Sequence, residues 1–146
     1  MTRHLPTIAL LLLPLGCSEV AAPTEEVRAA PSEGHVNEIT LRVDADAYAH
    51  LDTLEVRLVN GGSGAVGYNL CSSWRERETA TGWERIEPFR VCTADLPGLA
   101  PGETATWREP VDPYWGEARY RMGTMVWPTG SSAPVTLHTT PFEVGP

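Results

Sequence analysis

The chain has 146 residues with 11 arginines, no lysine and 19 acidic residues, for a formal net charge of −8. So acidic a balance excludes the phosphate-neutralising surface that nucleic-acid binding requires, and no nucleic-acid partner is expected. The length allows one domain of ordinary size after any leader is removed, and no internal repeat divides it.

The amino terminus and Arg3 precede an apolar run from Leu5 to Leu15. That is the layout of a secretory signal, and the run is too short to span a bilayer as a helix. Its end, Leu10-Leu11-Leu12-Leu13-Pro14-Leu15-Gly16-Cys17, resembles the bacterial lipobox, with Pro14 where leucine is usual. The resemblance implies that residues 1–16 are a signal peptide and that Cys17 is acylated, becomes the new N-terminus and anchors the protein to a membrane. It also implies an extracytoplasmic location. Ser18, rather than aspartate, follows the cysteine, which implies the outer membrane if the cell has two membranes.

Residues 17–36 hold Ala21-Ala22-Pro23, Glu25-Glu26, Ala29-Ala30-Pro31 and Gly34, with almost nothing large and apolar. They are expected to form a flexible acidic linker of about 20 residues, ranging about 25 Å as a random coil. With Cys17 acylated, Cys71 and Cys92 remain as an even pair in an exported chain and are expected to be bonded, the alternative being two buried thiols. Closing that loop constrains the unfolded chain by about 3 kcal/mol.

Residues 37–146 read as strands. Ile39, Leu41 and Val43 alternate with polar residues, and so do Leu54, Val56 and Leu58, ending at Asn60-Gly61-Gly62. Asp44 to Asp52 joins them and carries Tyr48, placed to cap the core. A third strand spans Ala65 to Cys71. Trp74 to Glu78 and Trp83 to Ile86 flank Thr79-Ala80-Thr81-Gly82 as a hairpin. Five prolines, Pro88, Pro97, Pro101, Pro110 and Pro113, then exclude helix and leave one strand near Glu103 to Glu109. The last pair is Ala118 to Trp127 and Val135 to Val144, with Tyr120, Met122, Thr124 and Val126 sharing one face. The pattern predicts an all-β antiparallel sandwich of seven to eight strands with almost no helix.

The order of these features is similar to the bacterial immunoglobulin-like domains of secreted and envelope proteins. The residues that carry it are Leu54 to Asn60, Tyr68-Asn69-Leu70-Cys71, Arg77 and Trp83, Leu99-Ala100-Pro101-Gly102-Glu103-Thr104, Gly116 to Tyr120-Arg121, and Pro141-Phe142-Glu143-Val144. The resemblance implies an immunoglobulin-like antiparallel β-sandwich over residues 37–146, with Tyr120 as its structural tyrosine corner. The cysteine pair departs from the antibody pattern, because it links the third strand to a following loop rather than the two sheets.

No chemistry-bearing motif survives its context. Gly62, Gly64 and Gly67 have dinucleotide-loop spacing, but Tyr68-Asn69-Leu70-Cys71 continues as strand where a helix is required. His35, His50 and His138 are not at ligand spacing, and Asp44, Asp46 and Asp52 read as a solvated acidic loop, so no metal and no cofactor is expected. The serines lie in loops without a nucleophile elbow, so no catalytic residue and no enzyme activity is expected.

Five tryptophans remain as the clue, with Trp127 and Trp83 read as core. Tyr114 and Trp115 lie in a loop after Asp112-Pro113 and, with Trp74, form a possible binding surface for a sugar or partner peptide. The alternative is that Trp115 folds back over the open end of the sandwich. The function expected is a lipid-anchored cell-envelope module, non-catalytic, binding an unknown envelope protein or glycan or serving a structural role. The alternatives are an extracytoplasmic protease inhibitor, presenting Gly61 to Gly67 or Cys71 to Cys92, and a carbohydrate-binding surface module.

Overall fold

The computed structural model describes residues 38–146, so the signal segment 1–16, Cys17, the rest of the linker and Asn37 lie outside the described residues. Eleven strands follow one another: β1 Ile39–Val43, β2 Ala47–Ala49, β3 Thr53–Asn60, β4 Val66–Tyr68, β5 Trp74–Thr79, β6 Gly82–Ile86, β7 Gly98–Leu99, β8 Thr104–Pro110, β9 Ala118–Pro128, β10 Val135–His138 and β11 Phe142–Gly145. Leu70–Ser72 and Pro113–Trp115 are single 3-10 turns.

One sheet has the order β1-β3-β8; the other is built around β9. On one side β9 pairs with β11 through Ala118–Tyr120 and with β10 through Gly123–Val126. On the other it pairs with β5 through Tyr120–Gly123 and with β4 through Val126–Pro128. β4 and β5 therefore lie along one edge of β9 as a single strand path broken by the turn at Leu70–Ser72, and β10 and β11 as another, broken at Thr139–Pro141. The segments beyond the seven to eight strands expected are β2, β7 and the division of Val135 to Val144 into β10 and β11. The two sheets pack as an immunoglobulin-like sandwich. The antiparallel expectation needs one correction, because β2 runs parallel to β11 with Tyr48 opposite Val144.

Alternation builds the core. Leu54, Val56 and Leu58 of β3 face Tyr120, Met122 and Val126 of β9 across the sheets, each with almost no exposed surface. Full burial of such side chains contributes about 1.5–3 kcal/mol each. Tyr48 reaches this core from β2, with its ring edge-on to Phe142 at 5.3 Å. At one end the buried Asn60 holds two turns together: its Nδ2 donates to the Gly64 and Leu99 carbonyls at 2.8 and 2.9 Å, and its Oδ1 accepts from the Gly62 amide at 3.1 Å. Gly61 to Gly67 is thus a loop tied back onto the end of β3, and it runs into β4, not a helix.

The outer face of β9 is unusual. Trp74 stands opposite Gly123 in the ladder, and its ring lies where a Cβ would be, so that a methyl group at Gly123 would approach Trp74 Cε2 to 2.5 Å. The missing side chain is what lets the indole lie flat on the sheet. In the core, by contrast, Thr124 is fully buried and its hydroxyl has no partner among the described residues.

Two substitutions on consecutive residues should therefore act in opposite directions. Gly123→Ala forces a rigid buried ring off the sheet and is expected to destabilise by about 1–3 kcal/mol. Thr124→Val keeps the shape and removes an unsatisfied hydroxyl, and is expected to stabilise by about 1 kcal/mol. Urea unfolding monitored by tryptophan fluorescence measures both.

Candidate functional site

A strap of residues 87–97 joins β6 to β7 without ladder pairing, passing the turn at Leu70–Ser72 and the end of β8. It is fastened along its length, and at its end the Tyr68 amide donates to the Pro97 carbonyl at 3.1 Å. Cys92 is disulfide-bonded to Cys71, with Cα atoms 5.7 Å apart. Asn69 Nδ2 donates to the carbonyls of Thr93 and Asp95 at 2.7 and 3.1 Å. Arg90 turns inward: its guanidinium donates to the Cys71 and Ser73 carbonyls and to the Glu109 carboxylate, and stacks 5.1 Å from the Trp107 ring. Because Arg90 points in, its neighbours Phe89 and Val91 point out, and both are fully exposed.

The loop between β8 and β9 forms the facing wall. Val111 is fully buried and fastens the loop to the β2–β3 turn, accepting from the Leu51 amide and donating to the Asp52 carbonyl, both at 2.8 Å. Asp112 caps the following turn, its Oδ1 accepting from the Tyr114 amide at 2.8 Å, with Pro113 in the first position where no donor is lost. Gly116 leaves the turn at φ 76°, a conformation that suits glycine. The Tyr120 hydroxyl then donates to the Trp115 carbonyl and lies 3.3 Å from that of Gly116. Trp115 is thereby folded back against Tyr120, ring centroids 5.4 Å apart. Tyr114, one residue before it, is 94% exposed.

Between strap and loop lies a groove of about 530 Å³, within the size range of ligand pockets. Trp107 and Trp115 line its interior, Phe89 and Tyr114 its exposed rim, and Arg75, Arg90 and Arg108 its charged positions. Arg90 is paired with Glu109 and Arg108 with Glu55. Arg75 projects from β5 and stacks 4.6 Å from the Trp115 ring.

The aromatic surface expected from Tyr114, Trp115 and Trp74 is therefore corrected. Trp115 is 5% exposed and Trp74 3% exposed, so neither offers a free face, and the two do not meet. Trp74 lies on the outer face of the larger sheet, under the Arg85 guanidinium at 3.7 Å. Its Nε1 donates to Glu76 Oε1 at 3.0 Å, and the other carboxylate oxygen of Glu76 accepts from Arg121. His138 closes the cluster, 3.3 Å from Glu76. Arg85 covers the Trp74 ring. Trp83 and Trp127, expected inside, are only half-buried. The residues missed by the sequence reading are Phe89, Val91, Leu51 and Arg75; the alternation Phe89-Arg90-Val91-Cys92 was the available signal for the first two.

Asp44 and Asp52 serve turns: Asp44 Oδ1 accepts from Tyr48 Oη at 2.7 Å and the Glu55 amide at 2.9 Å, and Asp52 Oδ2 from the Ala49 amide at 2.7 Å. Among the described residues no three His, Cys, Asp or Glu side chains are grouped to hold a metal ion.

No protein-family model matches the chain, and no curated protein does. Among solved structures, the ASH/PapD-like domain of human CEP192 (PapD-like domain 7) aligns with 91% of this chain and 98% of its own length, at 11% identity and a TM-score of 0.36. So distant a likeness says nothing of function.

Burial works against ionisation of Glu76, but hydrogen bonds from Trp74 and Arg121 and the charges of His138 and Arg121 outweigh it and hold the carboxyl below its ordinary value of 4.5. A carboxyl depressed in the folded state stabilises above its unfolded pKa, and that contribution fades as pH falls through the folded value. Glu76→Gln is expected to be less stable than the native chain at pH 7, with the gap narrowing as pH falls below 4.5. Denaturation midpoints measured from pH 7 to pH 3 give the gap; one that does not change with pH would contradict the assignment.

Proposed function

We propose that the protein is a non-catalytic recognition module, held at the cell envelope by an acyl group on Cys17, and that the groove end of the sandwich faces its partner. The observation carrying this reading is the position of exposed apolar residues relative to the point where the chain enters the domain. Glu38 precedes β1 and accepts from the Gly61 amide at 3.0 Å, at the end where β3 finishes. Leu51, Phe89 and Tyr114, three of the five large apolar side chains left exposed among the described residues, lie at the opposite end, where β3 begins and β8 finishes. The eight residues of β3 separate the two ends by about 26 Å. A linker attached at Glu38 therefore leaves the apolar end facing away from the anchor.

Leu51 adds an energetic argument. It is 75% exposed and held at φ 74°, a conformation disfavoured for a leucine. Strain of this kind costs about 1–3 kcal/mol and is found at sites of function. A polar, left-handed-tolerant residue such as asparagine would serve the turn better, so packing does not account for the leucine.

The clamped strap favours a second reading, the protease inhibitor, because Phe89 and Val91 are presented on a segment fastened on both flanks. The carbohydrate-binding alternative loses its support, since Trp74 and Trp115 have no free ring face.

The anchor and the surface are tested separately. The native full-length chain is expected to enter the detergent phase on phase separation, and Cys17→Ser to remain in the aqueous phase; identical partitioning would remove the anchor. In intact cells, a photo-crosslinking amino acid at Tyr114 is expected to yield a discrete adduct that the same group at Glu103, at the other end, does not. The same pattern from both positions would remove the recognition surface.

A further inference from the structure

Arg75 is the one arginine of the groove whose charge is unanswered. Its place opposite Met122, a core residue of β9, directs the side chain from β5 into the gap between the sheets. Arg90 and Arg108 each have a carboxylate, but Arg75 has neither an ion-pair nor a hydrogen-bond partner among the described residues, and its Nε is buried without an acceptor. The two acids nearest in charge are occupied, Glu109 by Arg90 and by Trp107 Nε1 at 3.4 Å, and Asp112 by the Tyr114 amide. Burial lowers the guanidinium pKa, yet arginine stays protonated at neutral pH. An enclosed N–H without an acceptor is costly, so the half-buried Arg75 guanidinium is left with an unmet donor beside the groove.

We propose that the groove binds the C-terminal carboxylate of a peptide ending in an apolar residue, with Arg75 taking the carboxylate and Phe89 and Tyr114 flanking the last side chain. The proposal rests on the recognition reading above and names its ligand. Stacking on Trp115 fixes the guanidinium plane, which suits a two-point grip on a carboxylate. Pro88, Phe89, Pro110 and Tyr114 supply apolar surface among the charged groups of the groove, and the main-chain groups of Phe89 and Arg90 make no hydrogen bond among the described residues. An extended peptide can pair with such an edge, as in strand addition. A uronic acid would bring the carboxylate but neither the apolar side chain nor the amides.

The test uses the full-length protein in detergent micelles and the probe acetyl-Ala-Ala-Phe as free acid and as C-terminal amide, titrated by calorimetry and tryptophan fluorescence. The acid is expected to bind at least tenfold more tightly than the amide. Arg75→Gln should reduce the acid to the affinity of the amide, and Arg75→Lys should restore part of the difference. Should Arg75→Gln fail to fold, Tyr114→Ser, at an exposed position, is expected to weaken both probes while leaving the unfolding midpoint unchanged. Equal affinity for acid and amide overturns the proposal, as does glucuronic acid competing with the same dependence on Arg75. If neither probe binds while the Tyr114 crosslink still forms, recognition stands and the carboxylate assignment fails; absence of both removes the two together.

Discussion

The interruption of the outer strand path of the larger sheet, between β6 and β7, is the constraint from which most of the unusual features follow. The strap that replaces a strand there makes no ladder and is held by other means. The disulfide, the Asn69 amide and the Arg90 guanidinium fasten it. Arg90 does the most, because one planar group satisfies two carbonyls and a carboxylate while covering an indole. The same arrangement turns Phe89 and Val91 into solvent and leaves the groove unfilled.

The absence of lysine is put to structural use. Four of the five tryptophans carry a stacked arginine: Arg75 on Trp115, Arg85 on Trp74, Arg90 on Trp107 and Arg121 on Trp83. A guanidinium can lie flat on an indole and still direct its N–H groups sideways to a carboxylate, as Arg90 and Arg121 do; an ammonium cannot. The pairs let a small acidic domain bury large aromatics on sheet faces that would otherwise be wet. They also divide the molecule. The Trp74–Glu76–Arg121–His138 cluster is closed on itself, each polar group answered, whereas the Trp115–Arg75 pair is open toward the groove.

Much of the sandwich was legible because half-buried strands write their burial as alternation. Leu54, Val56 and Leu58, and Tyr120 to Val126, could be assigned to one face by period alone. What alternation cannot express is interruption. The 3-10 turn after β4 and the break before β11 preserve the direction of the chain while dividing a strand, and the parallel pairing of β2 depends on β11, which lies almost 100 residues away. Tyr114 was identifiable from its place in a short loop after a capping Asp-Pro. Trp115 was left between exposure and folding back over the end of the sandwich, because its burial depends in part on Arg75, which is remote in sequence. Phe89 and Val91 sit in a proline-rich segment where large apolar residues look like core; they are exposed only because Arg90 claims the inward side.

The two ends of the domain are built to separate demands. At the entry end, Asn60 draws together the glycine loop and the Gly102 turn with a buried side chain that satisfies every hydrogen bond it can make to backbone there, the economy of a region that only has to be stable. At the far end the same chain tolerates a leucine at positive φ, three exposed apolar side chains and an arginine with a buried, unanswered Nε. Each runs against what folding alone favours, and they gather at one end of the domain, although Thr124 in the core also carries an unanswered hydroxyl. Several local conflicts gathered at one end are the pattern expected when a surface is shaped by something other than its own stability. The energetic case for recognition at this end rests on that contrast, which needs neither a motif nor a relative to support it.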